Sequence, residues 1–310
     1  MKRRIIIGSR GSRLALIQAE SVMAQIAELN PELEISISQI VTRGDRSRHA
    51  PLDRMEGVGM FVKELEEALL EGRVDLAVHS LKDVPTQIPE GLCLVAVTER
   101  LDPRDVLVSR NGKLDELAAG SKIGTGSLRR AVQLKAHRPD LEALSIRGNV
   151  DTRLRKVAEG EFDGVILAAA ALKRLGGEDR ITDYLPLKHF LPAVGQGALV
   201  IETRLGDEEV AALVSPLNHL STGQSVTAER AFLRALGGGC RAPIAALGTV
   251  NGANLKLEGM VARVSDNQIL RAVEEGSSLS PEELGMKLAQ KLLKVGAAEF
   301  ITEARDIESR

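Results

Sequence analysis

The chain has 310 residues, more than a usual single domain, which predicts two or three domains. With 44% hydrophobic and 27% charged residues, it can form sizeable cores and does not have a disordered composition. A net charge of -2 excludes a bulk attraction to nucleic acid or anionic membrane, and 2% aromatic residues without tryptophan argue against base stacking.

The first hundred residues alternate predicted strands and helices. Strands are expected at 5–7, 35–41 and 74–78, with helices at 14–29 and 61–71 between them. Such alternation predicts a parallel sheet, with ligand sites at the carboxyl ends of its strands. The apolar part of the N-terminal segment is too short for a signal peptide and forms the first strand instead.

Residues 101–105 look like a crossing into a second unit of the same α/β style. Further strands are expected at 105–108 and 164–168. Residues 191–197 resemble a return crossing, after which 198–202 are expected to rejoin the first sheet.

The pattern changes after Gly223. A helix at 227–236 precedes strands at 244–247 and 255–261, and an amphipathic helix is expected over 281–303. This arrangement predicts a small α+β third domain. The predicted domains are therefore residues 1–100 with 198–217, residues 103–193, and residues 221–310.

Cys240 follows three glycines directly after the helix at 227–236. Glycine permits positive φ and leaves space beside the sulfur, while Arg234 and Arg241 favour the nucleophilic thiolate. The other cysteine, Cys93, lies in an apolar run where a small buried thiol is expected. Cys240 is thus a candidate for attachment or attack, and a tight turn in which the cysteine only packs is the alternative. Two cysteines do not make a disulfide framework, so a soluble protein of the reducing cytosol is expected.

Several strand–helix junctions carry arginines beside small residues, at 8–13, 124–130 and 146–155, and Arg174 follows a further strand. Hydroxyls and backbone N–H groups at helix N-termini can bind anions. Because a guanidinium binds a carboxylate or phosphate at two points, this recurrence predicts a ligand with several anionic groups. The alternative is a set of surface arginines on solvated helix faces. None of these loops is a nucleotide-binding motif.

Asp83 is the best candidate for acid–base chemistry, because it follows a buried strand and has Lys82 beside it. A carboxylate there can hydrogen-bond to a ligand N–H and stabilise a developing cation. The alternative is a turn or helix cap before Val84 and Pro85. His79 is expected to be a satisfied core histidine. The 5 histidines show no metal-ligand spacing with the cysteines, so no metal is expected.

In this order, the segments resemble the porphobilinogen deaminase (hydroxymethylbilane synthase) family over nearly the whole chain. The resemblance implies an α/β fold with two doubly wound domains, similar to the lobes of periplasmic binding proteins, and a small α+β C-terminal domain. The segments that carry the resemblance are 8–10, 61–66, 78–85, 124–130, 147–153, 191–197 and 238–240.

The resemblance implies a transferase of porphyrin and heme biosynthesis that joins porphobilinogen units head to tail on a covalent dipyrromethane primer. Ammonia is lost at each step, and hydroxymethylbilane is released. It implies that Cys240 is the thioether anchor of the dipyrromethane cofactor, and that Asp83 is the catalytic residue, which assists departure of the aminomethyl nitrogen. A cytoplasmic monomer acting on a small molecule is expected, without nucleic acid or membrane as a partner.

The resemblance also implies which residues contact the pyrroles, whose acetate and propionate groups accumulate as the product grows. Arginine–carboxylate pairs that are shielded from water offset the repulsion among these groups. The implied cofactor contacts are Ser80, Lys82, Asp83, Thr125, Ser127, Arg129 and Arg130. The implied substrate contacts are Arg10, Arg147, Arg153 and Arg174.

The chain departs from the family in one loop, where many members have Gly-Lys-Gly and this chain has Gly-Val-Gly around Val58. A lysine contact is therefore absent, and Arg46, Arg48 and Arg54 are candidates to replace it.

Two other functions fit part of the sequence. A non-enzymatic two-lobed binding protein for a polycarboxylate would explain the arginines, but it needs neither Cys240 nor the third domain. A cysteine-nucleophile acyltransferase needs a base near Cys240, and the nearest histidine, His219, can approach it only through the fold.

Overall fold

The computed structural model describes residues 4–42, 62–237 and 243–308. The chain forms two compact units: unit 1 is Met1–Arg100 with Ala198–Gly223, and unit 2 is Leu101–Gly197 with Gln224–Arg310. Unit 2 contains two sheets, and its division into a second and a third domain stays a prediction.

The described strands are β1 (Arg4–Arg10), β2 (Glu34–Ile40), β3 (Leu76–Ser80), β4 (Leu92–Val97), β5 (Asp105–Ser109), β6 (Lys122–Gly124), β7 (Glu142–Leu144), β8 (Gly164–Ala168), β9 (Asp183–Tyr184), β10 (Leu199–Arg204), β11 (Ile244–Asn251), β12 (Asn254–Ala262) and β13 (Ile269–Ser277). The described α-helices are α1 (Arg13–Leu29), α2 (Lys63–Leu70), α3 (Leu128–His137), α4 (Val150–Ala158), α5 (Ala169–Arg174), α6 (Glu208–Val214), α7 (Leu220–Ala235), α8 (Pro281–Leu293) and α9 (Ala297–Glu308). Within these ranges, no helix is both long and apolar enough to cross a membrane.

The sheet of unit 1 has the strand order β2-β1-β3-β10-β4. Strands β1, β2 and β3 are parallel, whereas β10 runs antiparallel to both β3 and β4. The four strands from the first hundred residues therefore run in the same direction, as predicted, and β10 joins this sheet as expected but runs antiparallel to them. The N–H of Leu81 donates to the carbonyl of Ala198 at 3.1 Å, so the chain enters β10 where β3 ends and runs back along it.

Successive residues of a strand point to opposite sides of the sheet, so apolar residues lie on both faces. Helices cover both of these faces. On one face, Ile5 and Ile7 pack with Val22 and Ile26 of α1. The other face packs against α2, whose Leu65, Ala68 and Leu69 surround Ala77 of β3. Unit 1 is thus doubly wound, as predicted.

The first sheet of unit 2 has the order β7-β6-β8-β5-β9, in which β7, β6 and β8 are parallel and β5 is antiparallel to β8. Apolar clusters lie on both faces of it, one with α4 and one with α3. The predicted fold class, two doubly wound α/β domains followed by a small α+β domain, is confirmed.

The C-terminal part of unit 2 is an antiparallel sheet, β11-β12-β13, packed against α7, α8 and α9 around Phe232, Leu288 and Phe300. The structure differs from the sequence analysis at two points here. Strand β13 was not predicted, since most of its residues are half-buried and lack a clear alternation. The single closing helix is two helices, because Gly296 adopts a φ of 101° between them.

Candidate active site

One group of candidate site residues lies at the carboxyl ends of β1 and β3 in unit 1. These strands are parallel neighbours, so Arg10 at the end of β1 and Ser80 at the end of β3 share one edge of the sheet. Both side chains are half-buried. Nε2 of the buried Gln18 donates to Oγ of Ser80 at 2.9 Å. The sequence analysis did not identify Gln18, whose only signal is a polar residue on the apolar stripe of α1.

Asp83 ends a short 3-10 turn, Leu81–Asp83, directly after β3. The turn is closed by its backbone, since the N–H of Val84 donates to the carbonyl of Leu81 at 3.1 Å. The Asp83 carboxylate is half-buried, and no residue of the described ranges donates a hydrogen bond to it. It is therefore available to a ligand, as is expected of an acid–base residue rather than of a turn-forming aspartate. Lys82, beside it, is also half-buried.

A second group of candidate site residues lies in unit 2, at the carboxyl ends of β6, β7 and β8. Thr125 follows β6 and is buried, and its Oγ1 accepts a hydrogen bond from the N–H of Ser127 at 3.2 Å. Ser127 precedes the first turn of α3. Arg147 is exposed after β7, where Asn149 Oδ1 caps α4 by accepting from the N–H of Thr152 at 2.9 Å.

Arg129 and Arg130 point into the core rather than towards solvent. Both bind Asp105, the first residue of β5, with Arg129 Nη1 at 2.7 Å from Oδ2 and Arg130 Nη2 at 2.7 Å from Oδ1. Arg129 also donates to the carbonyl of Leu191 at 2.6 Å, and Gln196 Nε2 lies 2.9 Å from Asp105 Oδ1. Much of the binding capacity of these two predicted cofactor contacts is therefore used inside the protein.

Two guanidinium groups share one carboxylate in this network, so it carries an excess positive charge. Burial acts to raise the pKa of Asp105, but the charges of Arg129 and Arg130 outweigh it and hold that pKa well below its usual range. The sequence analysis did not identify Asp105 or Gln196 as parts of this network. Their partners lie 24 to 91 residues away along the chain, a separation that local patterns do not reveal.

Arg153 and Arg174 have a different environment, because their hydrogen bonds go to neutral backbone carbonyls. Arg153 Nε donates to Gly148 O, and Arg174 Nη2 to Gly197 O, each at 2.9 Å. Burial lowers the pKa of both arginines to about 10, and the charge of Arg130 adds to the shift of Arg153. In the described parts of the chain neither has a carboxylate partner. Both side chains are half-buried, and such partly desolvated charges suit an anionic ligand.

Several residues of interest lie outside the described ranges. Cys240 is one of them, as are Val58 and its candidate replacements Arg46, Arg48 and Arg54. Among the residues that the structure does describe, no group of three His, Cys, Asp or Glu side chains is arranged to hold a metal ion. Cys93 is half-buried, with Sγ 3.5 Å from Oγ1 of Thr203.

The fold and these side chains define a class of α/β protein in which arginines, hydroxyls and a carboxylate lie at the carboxyl ends of the strands. Two family models match the chain: porphobilinogen deaminase, dipyromethane cofactor binding domain, over residues 5–212, and porphobilinogen deaminase, C-terminal domain, over residues 224–294. The chain therefore belongs to the porphobilinogen deaminase family.

Full-length relatives support this assignment. Porphobilinogen deaminase of Pelobacter propionicus is 48% identical over 301 residues, covering 97% of each chain. That of Pelotomaculum thermopropionicum is 48% identical over 311 residues, covering 100% of each, and that of Geobacter sulfurreducens is 49% identical over 300 residues, covering 97% of this chain and 94% of the relative.

Solved periplasmic domains are also similar to part of the chain. The Bordetella pertussis BvgS periplasmic VFT2 domain is 16% identical with a TM-score of 0.39, covering 69% of this chain and 86% of that domain. A Salmonella typhimurium periplasmic binding protein with high arginine specificity is 13% identical with a TM-score of 0.39, covering 70% and 92%.

The matches confirm the predicted family, its transferase activity on porphobilinogen and its dipyrromethane cofactor. They do not favour the alternative of a non-enzymatic binding protein. The chemistry of the described side chains is compatible with a cofactor that bears carboxylates and pyrrole N–H groups, since they include arginines at strand ends and, at Asp83, a carboxylate without a donor among the described residues.

Proposed function

We propose that Asp83 is the catalytic carboxylate of a hydroxymethylbilane synthase reaction, in which porphobilinogen units are joined head to tail with loss of ammonia. The observation that carries this proposal is the half-buried Asp83 carboxylate, which follows a buried strand and has no hydrogen bond from a described residue. Most carboxylates in such positions have a partner, because unpaired desolvated charge is costly.

Asp83 performs proton and charge chemistry at the substrate nitrogen. The C–N bond of the protonated aminomethyl group breaks and ammonia leaves, so the methylene-pyrrole that remains carries the positive charge, which an adjacent carboxylate stabilises. The same carboxylate accepts the pyrrole N–H in a charge-assisted hydrogen bond and takes up the proton lost after carbon–carbon bond formation. Ser80 and Lys82 contact the cofactor from the same strand end.

Arginines bind the carboxylates of the pyrrole chain. Arg153 and Arg174 have the strongest support, because each is desolvated and donates only to neutral carbonyls among its described partners. Arg10 and Arg147 bind further carboxylates at the ends of β1 and β7. Arg129 and Arg130 contribute the excess positive charge left after both have bound Asp105, and Thr125 and Ser127 add hydroxyl contacts beside them.

Dipyrromethane, when bound, supplies the primer to which porphobilinogen units are added. Its anchor is a thioether to Cys240, where three glycines leave room beside the sulfur and two arginines favour the thiolate. Cys240 is thus alkylated once, while Asp83 acts at every addition.

We also propose that the enzyme is a cytoplasmic monomer with three domains, at the boundaries predicted from the sequence. A free thiol anchor and only 2 cysteines suit a reducing compartment. A small-molecule substrate explains the arginines without nucleic acid or a membrane.

Intact-mass measurement of the purified protein tests the anchor. We expect a mass excess equal to two linked pyrroles, lost in Cys240→Ser and kept in the control Cys93→Ser. An active protein with the mass of the bare chain would overturn the proposal, as would a Cys240→Ser variant that keeps the excess.

A further inference from the structure

Three ionisable side chains are buried where α2 packs against β3 and β10 on one face of the unit 1 sheet. They are Glu66 on α2, His79 on β3 and Glu202 on β10. In the antiparallel pairing Val200 lies opposite His79 and Glu202 opposite Ala77, so His79 and Glu202 project from the same face. Nε2 of His79 donates to Oε2 of Glu202 at 3.0 Å.

This cluster is dry and incompletely paired. The exposed fractions of Glu66, His79 and Glu202 are 8%, 4% and 0%. One oxygen of each carboxylate, Oε1 of Glu66 and Oε1 of Glu202, is buried and accepts no hydrogen bond from a described residue. A buried carboxylate oxygen without a donor costs free energy, and two neighbouring carboxylates in a dry site favour retention of a proton.

The charges around Glu66 indicate which group holds that proton. Burial has the largest effect and raises the pKa of Glu66, and the charge of Glu202 raises it further. His79 lowers this pKa, and the net result is a value of about 7. On its own helix, Glu67 raises the pKa and Lys63 lowers it, with smaller effects. Below neutral pH, Glu66 is therefore protonated and has an O–H to donate, while the Oε1 of Glu202 lacks a donor.

The cluster lies directly behind the proposed catalytic segment. His79 precedes Ser80, and Asp83 follows within the next turn. We propose that Glu66, His79 and Glu202 form a buried proton-sharing cluster that positions Ser80 and Asp83 for catalysis. The inference rests on the proposed role of Asp83, and the three residues of the cluster are positioning residues because they act through the end of β3.

Protonation of Glu66 determines how firmly this strand end is held. With the proton, a neutral carboxyl group sits beside the Glu202–His79 pair. Without it, two carboxylates repel each other in a dry environment, and β3 relaxes at its carboxyl end. Turnover should therefore fall as pH rises and Glu66 ionises. A Glu66→Gln variant, whose amide does not ionise, should not show this fall.

Steady-state kinetics with porphobilinogen between about pH 6 and pH 9 tests the proposal, since the range brackets a carboxyl group titrating near neutrality. The variants are Glu66→Gln, which can donate but not ionise, Glu66→Ala, and the exposed control Glu67→Gln. We expect Glu66→Ala to lower kcat about tenfold at an unchanged KM. Glu66→Gln should lose less than about threefold at the acid end, and its profile should lack the transition near pH 7 that the unmodified enzyme and Glu67→Gln share.

Identical pH profiles for Glu66→Gln and the unmodified enzyme would overturn the inference, as would a loss of activity in Glu66→Ala that follows its folded fraction. Failure of the underlying proposal has a separate signature, which is normal turnover by Asp83→Ala. Circular dichroism at each pH reports the folded fraction for every variant.

Discussion

Arg130 donates two hydrogen bonds to the same oxygen of Asp105, from Nε at 3.0 Å and from Nη2 at 2.7 Å. Arg129 binds the other oxygen, so one buried carboxylate joins the start of β5 to the first turn of α3. Both arginines looked like ligand contacts in the sequence. The structure shows that they also hold unit 2 together.

Asp105→Asn should therefore be strongly destabilising. The amide keeps the shape but removes the charge, which leaves two buried guanidinium groups uncompensated, and such changes cost about 3–5 kcal/mol. Chemical denaturation at neutral pH measures the loss. The control is Asp102→Asn, whose half-buried carboxylate pairs with Arg104 at 2.6 Å and should cost less than about 1 kcal/mol. Equal costs for the two variants would contradict this account.

Acid should weaken the same network. The pKa of Asp105 is lowered in the folded state, so its contribution to stability is complete above the unfolded-state value, about 3.9, and is lost as pH falls through the folded value. Asp105→Asn lacks this contribution. The stability difference between the unmodified protein and the variant should hence shrink with acidification below about pH 4, as measured by urea titrations.

Asp83→Asn should abolish turnover without unfolding the protein. The amide cannot take a proton or balance a cation, and the loss of such a group lowers kcat by roughly 10²–10⁴-fold. Ammonia release and thermal melting measure the two properties, with the exposed Glu90→Gln as control. A kcat within a few-fold of normal would remove Asp83 from the mechanism.

Arg153→Gln should weaken substrate binding. It removes a desolvated charge that donates to a neutral carbonyl, and a charge-assisted pair contributes about 1.5–3 kcal/mol, so KM should rise on the order of tenfold or more. Arg155→Gln on the same helix is the matched control, because that side chain is 66% exposed and its nitrogen lies 3.8 Å from Glu159. An unchanged KM for Arg153→Gln would show that Arg153 does not contact the substrate.

Glu66→Gln should alter how stability depends on pH. The folded-state pKa of Glu66 is raised to about 7 from an ordinary value of 4.5, so the folded protein binds the proton more tightly and loses stability as pH rises between these values. Glutamine does not ionise. Relative to the unmodified protein, the variant should gain on the order of 1–3 kcal/mol between pH 5 and pH 8. Urea titrations at both pH values measure the gain, and a constant difference would argue against a raised pKa.

Apolar periodicity was sufficient to predict most elements of the fold. The helical stretch 14–29 predicted α1, and the apolar run 74–78 predicted β3, because residues that are buried in one element recur at a characteristic spacing. The direction in which a strand runs within its sheet was harder to predict. That β10 runs antiparallel to β3 depends on where the returning chain enters the sheet, which its own residues do not encode.

The residues proposed to face the ligand could be nominated from the sequence, since arginines, hydroxyls and Asp83 at strand ends form local patterns beside predicted elements. The hydrogen-bond partners of the buried polar residues could not be predicted in this way. Asp105 beneath Arg129, Gln18 beside Ser80 and Glu202 beside His79 are joined across 24, 62 and 123 residues. From the local sequence one can predict which groups are charged and where the strands end. Only the packed chain decides which charges are desolvated and which are neutralised, because both depend on neighbours that folding brings from distant segments.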